Sequence, residues 1–253
     1  MSRRDDVSKL YRPSKKLEKA RFSLFCADIV MSLVALVITS GSRYITAVLV
    51  VIAFLYMAFT ILDDGVLWYT AENARRKNNI QEAFHITLSR FETDGYYNNS
   101  ISEPNLVYAV NTFESCFFTK ELSERMLWKA YVKILASIAV VFIACVVIND
   151  NDVLLIIAQA AFSAFVIEDA ISLILFVQRI RKLYDLAYHE FITVGISKTE
   201  QKVWLRYFCV EYESIKAHYK IRLDENLFDK LNGTLSEEWN KIQEEIKISE
   251  EHT

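Results

Sequence analysis

Residues 44–62 read YITAVLVVIAFLYMAFTIL, 19 positions without a charge, a proline or a glycine. A bilayer hydrocarbon core about 30 Å thick takes ~20 helical residues at ~1.5 Å each, so this stretch has the length and chemistry of a membrane span. Working outward, residues 22–39 form an 18-residue apolar run with one charge, Asp28, and residues 40–44 suffice for a tight hairpin between the two runs. The same plan recurs downstream. Residues 130–148 are apolar apart from Lys133, residues 153–177 are interrupted by Gln159, Glu168 and Asp169, and 149–152 (NDND) link them. The expected fold is an all-α integral membrane protein: four transmembrane helices in two hairpins, a cytoplasmic helical insert and C-terminal cytoplasmic helices. Four buried helices of a soluble bundle are the competing arrangement, disfavoured because each run approaches span length.

Composition points the same way. With 5 Gly and 2 Pro among 253 residues, the chain lacks the turn formers of a β-sandwich or barrel. Its net charge of −3 offers nothing to a polyanion, so no nucleic acid is expected as a partner.

Orientation follows from Lys and Arg, which are retained on the cytoplasmic side. Eight precede the first run, from Arg3 to Arg21. Arg75, Arg76 and Lys77 follow the second run, and Arg179, Arg181 and Lys182 follow the fourth, whereas the two short hairpin loops hold Arg43 alone. Both termini are therefore expected in the cytoplasm. The chain divides into a basic N-terminus (1–21), hairpin 1 (22–62), a cytoplasmic insert (63–129), hairpin 2 (130–177) and a cytoplasmic tail (178–253). The first run is not expected to be a signal peptide, because its basic leader is long and no small-residue cleavage pattern follows.

Ionisable groups at membrane depth cost a few kcal/mol and normally face a bundle interior, water or one another. Lys133 stands 16 residues before Asn149 and Glu168 stands 16 after Asp152. Both therefore fall about 24 Å in from the outer loop, and a Lys133 pair with Glu168 or Asp169 is expected. Adjacent acids project about 100° apart, so one lysine does not satisfy both, and copies of the other carboxylate could form a cation-favouring ring in an oligomer. A purely structural network is the alternative. In hairpin 1, Asp28 falls level with Tyr56, whose hydroxyl could donate to it. Asp63 and Asp64 mark the inner interface, with Trp68 and Tyr69 where an aromatic belt would lie.

The insert reads as a helix continuing from the second run to about Ser89, a polar break at 93–105, and a helix leading through Leu122 and Met126 into the third run. In the tail, Ser197 with Glu200 and Thr234 with Glu237 have capping-box spacing, each preceded by a glycine as stop residue. Val203, Leu205, Phe208, Val210, Tyr212 and Ile215 mark a largely apolar helix that needs a partner: the insert, a neighbouring subunit or another protein. Four dispersed cysteines and four dispersed histidines show no metal-ligand spacing, so no metal or cofactor is expected. No catalytic constellation appears, and the chain is not expected to be an enzyme.

Leu10, Tyr11, Ser14 and Lys15 before the first run, and Gln81, Glu82 and Phe84 after the second, resemble elements of the bacterial S-4TM family of pore-forming effectors, related to the SLATT membrane effectors. His85 stands where that family has an aspartate, and its Leu-Pro-Trp-Asn element has no counterpart here. The resemblance implies an anti-phage effector of abortive infection that oligomerises in the bacterial inner membrane and opens a pore. Its partners would be the lipid bilayer, copies of itself, and a nucleotide second messenger or a cytoplasmic protein. A constitutive ion channel or small transporter and a membrane anchor that recruits a cytoplasmic partner are the competing functions; unbroken spans speak against a transporter.

Overall fold

The structure, a computed structural model, describes residues 6–37, 42–91, 93, 97, 101–147, 153, 167–194 and 198–251. Among these residues the chain is helical with no strand. In order come α1 (Asp6–Val37), α2 (Ser42–Leu62), a π-helical turn (Asp63–Leu67), α3 (Trp68–Phe84), α4 (Pro104–Val147), α5 (Asp169–Tyr188), a second π segment (His189–Val194), α6 (Lys198–Tyr219) and α7 (Glu225–Glu251). Most of the fourth apolar run, the 149–152 link and residues 38–41 of the first hairpin lie outside the described residues.

The residues group into two compact units. The hairpin unit contains Asp5–Arg75 and Tyr131–Ala170; the core unit contains Met1–Arg4, Arg76–Ala130 and Ile171–Thr253.

In the hairpin unit α1 lies against α2 and the π turn. The most apolar part of Arg43–Phe84 is entirely unburied, and that of Pro104–Ile143 nearly so. Both are long and apolar enough to cross a membrane. Val50, Phe54 and Ile61 of α2 and Leu135, Phe142 and Val146 of α4 stand exposed. A core helix of a soluble bundle would bury such a face rather than present it.

The core unit is built around Phe113 of α4, which is fully buried. Its ring stacks on Phe191 at 5.1 Å, meets Trp239 of α7 edge-on at 5.4 Å, and contacts Tyr184 of α5 at 5.5 Å and Phe208 of α6 at 6.2 Å. One side chain thus ties together four helical segments distant in sequence. Polar groups reinforce it: the Tyr212 hydroxyl shares a hydrogen bond with Thr119 at 3.0 Å and donates to the Ser115 carbonyl at 3.2 Å.

Two boundaries differ from those expected. α3 stops at Phe84, not near Ser89, because His85 adopts a left-handed backbone (φ 52°) and Gln81 Oε1 accepts the Leu88 and Ser89 N–H groups at 2.9 Å, closing the turn. Gly233 and Thr234 do not break the tail; they lie inside α7. That helix starts after Asp224, whose Oδ1 accepts the Leu227 N–H at 3.2 Å. Leu235, Trp239, Gln243 and Ile246 bury one stripe beginning just after the glycine, and packing of that stripe outweighs the ~1 kcal/mol a helical glycine costs. Ser197 lies outside the described residues.

Candidate functional site

The charged groups of the hairpin unit line up along the antiparallel contact between α1 and the helix that faces it. Arg21 Nη2 lies 3.2 Å from Asp63 Oδ2, with Asp63 fully buried and the Arg21 side chain 12% exposed. Further along, Tyr11 donates to Glu72 Oε1 at 2.9 Å and Arg75 Nε donates to Glu72 Oε2 at 2.9 Å. The Tyr11 ring stands edge-on to Trp68 at 5.8 Å. Tyr11 and Arg21 are ten residues apart and Asp63 and Glu72 nine, about 15 Å and 13.5 Å of helix, so the two rungs match in rise.

They match in rotation only because of the π turn. Nine residues of regular α-helix rotate by about 180°, which would put Asp63 and Glu72 on opposite faces. The Trp68 N–H donates to the Asp63 carbonyl five residues back, and that inserted residue removes about 100°, bringing both acids towards α1.

Tyr56 lies within electrostatic reach of Arg21, Asp169 and Glu168. A side chain just before the first apolar run, one within the second and two in the latter half of the fourth therefore share one neighbourhood. Glu168 and Asp169 are exposed. Asp28 is half-buried and makes no hydrogen bond with Tyr56; among the described residues it has no hydrogen-bond or ionic partner. Lys133 is exposed on α4, and Asp64 is half-buried beside Asp63. Trp68 does not stand in an exposed belt: it is 4% exposed, packed on Tyr11, while Tyr69 beside it is exposed. Phe84 packs at 6.4 Å on Tyr108.

Sequence reasoning counted Arg21 only as an orienting charge and passed over Tyr11's partner Glu72. The signal was present. The register that sets Asp28 level with Tyr56 also sets Arg21 level with Asp63, seven residues farther along each helix. Among the described residues no group of three or more His, Cys, Asp or Glu side chains is arranged to hold a metal ion.

In the core unit the cysteines are chemically quiet. Burial pushes the Cys116 thiol up, and burial pushes Cys209 up to about 12 despite its contact with Thr112 Oγ1, so both stay protonated near neutrality. No protein-family model, no curated protein and no solved structure matches the chain.

Proposed function

We propose that the chain is a bacterial inner-membrane effector, with four spans and both termini in the cytoplasm, that oligomerises and opens an ion path, acting in anti-phage abortive infection. The observation that carries the reading is the charged neighbourhood of Arg21, Tyr56, Glu168 and Asp169 beside long helices whose apolar faces are exposed. Isolated charges in hydrocarbon are costly and normally face a bundle interior, a water-filled path or one another. Arg21 has its counter-ion in Asp63. Glu168 and Asp169 stand exposed at the head of α5, where carboxylates from several copies could gather around a water-filled path and favour cations.

The test compares expression of the wild type with that of the Glu168→Gln, Asp169→Asn double variant in bacterial cells. The wild type is expected to admit a membrane-impermeant dye and arrest growth, and the double variant to lose both while still reaching the membrane. Equal dye entry by the two proteins would contradict the role given to these carboxylates. Growth arrest without dye entry in either would favour an anchor that recruits a cytoplasmic partner.

A further inference from the structure

We propose that the outward face of α6 is a self-association surface on which α6 of a second copy of this chain lies antiparallel. The proposal rests on the oligomeric effector reading and names the surface that carries contact between copies.

One face of α6 is used within the core unit: Leu205, Phe208, Cys209, Tyr212 and Ile215 are buried. The opposite face is not polar, as it would be in an ordinary amphipathic helix. Val203, Tyr207 and Val210 are 70%, 52% and 65% exposed, and Ser214 and Ala217 continue the line, also exposed. The intervals are 4, 3, 4 and 3 residues, the alternation of a coiled-coil seam, which packs against a helix with the same repeat.

Two features make this seam complementary to itself. Arg206 and Glu213 lie on the same flank of it, seven residues apart and opposite in charge. In an antiparallel pair related by a two-fold axis each flank meets itself reversed, so an axis near residues 209 and 210 sets Arg206 of each copy against Glu213 of the other. Glu213 already accepts from Arg76 Nε at 2.7 Å, but a carboxylate has acceptor sites for more than one donor. On the same flank an open cavity of ≈ 360 Å³ lies between α6 and its neighbours, lined by Arg76, Tyr108, Val210, Glu213, Ser214 and Ala217. The same axis brings the second copy's Tyr207 over Val210 and Ser214, at the mouth of that cavity, so each copy supplies both an aromatic knob and the recess for it. One helix pair is smaller than the ~1,600 Å² of a standard interface, so the contact closes between chains already concentrated in one membrane.

Val210 stands beside the proposed axis, so Val210→Cys is the direct probe, made in the full chain with Cys26 and Cys145 replaced by serine. Under mild oxidation of native membranes it is expected to give a cross-linked dimer in several-fold higher yield than Glu238→Cys at an exposed site on α7. Adding Tyr207→Asp or Val203→Asp, both at exposed positions, is expected to cut that yield several-fold while leaving helicity unchanged. A Val210→Cys yield no higher than that of Glu238→Cys, or one indifferent to Tyr207→Asp, overturns the proposal. A Val210→Cys thiol shielded from maleimide in cells but not cross-linked means a different occupant and also overturns it. If the solubilised protein is still oligomeric in those cases, the effector reading survives and only the surface is wrong; a monomer in membranes defeats both.

Discussion

Asp63 and Arg21 form an ion pair taken almost wholly out of water, and desolvation of both groups offsets most of their attraction. Such a pair adds little net stability, yet losing one member leaves a buried charge uncompensated. Asp63→Ala alone is therefore expected to destabilise the protein by about 3–5 kcal/mol, and Arg21→Met with Asp63→Leu to recover most of that loss, as read from thermal melts in detergent. Additive losses would show that the two side chains act independently. At the same scale, the raised thiols of Cys116 and Cys209 predict no alkylation of either by maleimide near pH 7 in the folded protein and complete alkylation after denaturation. Reaction in the folded state would mean that the core unit opens there. Legibility in the sequence varied residue by residue. The level of Asp28 and Tyr56 came from counting along helices, but whether two level side chains touch depends on rotation. For Asp63 and Glu72 that rotation is set by a single π insertion at Asp63–Leu67, which no residue type announces.

At the scale of elements, the helices of the core unit are held by an aromatic hub and by caps. Asp224 accepts from Lys129 and from the first turn of α7, which joins α4 to the start of the last helix. The Lys129 hydrogen bond, with the Leu227 N–H, holds the Asp224 carboxyl below the usual carboxylate range. A depressed folded value means that this contribution is complete above the unfolded value of about pH 4 and is lost as pH falls through the lower folded one. Asp224→Ala is expected to cost about 1 kcal/mol at neutral pH and to flatten the stability profile below about pH 4, measured by denaturant melts across pH. An unchanged acid limb would contradict the pairing. The long apolar runs made α2 and α4 readable, and residues 203–215 announced a largely apolar helix in need of a partner, though not which of its faces is buried. The run through Gly233 was misread because propensity favours a stop there, whereas Leu235, Trp239 and Ile246 bury against the rest of the unit. Phe113 could not have been singled out, since nothing local distinguishes it from Phe117 or Phe118; its position depends on four segments meeting.

At the scale of the whole molecule the described residues form a helical pair with an internal charged seam and a helical core with its own aromatic centre. Among the described residues the apolar faces of α2 and α4 are left largely uncovered, and lipid is the solvent that would remove that cost. The sequence supports both hairpins equally, because hydropathy is a property of short windows and needs no tertiary information. The tail's packing and the seam's ladder needed the fold, since they depend on which helix face turns inward. The claim on which everything else depends is that the chain crosses the bilayer four times with its ends inside. The most direct measurement is labelling by a membrane-impermeant maleimide in intact cells, using single cysteines in a cysteine-free chain: Ser40→Cys and Asn151→Cys in the two hairpin loops, and Thr253→Cys at the terminus. The account predicts that the first two label from outside and the third only after the membrane is opened. Labelling of Thr253→Cys in intact cells, or protection of either loop, would contradict it.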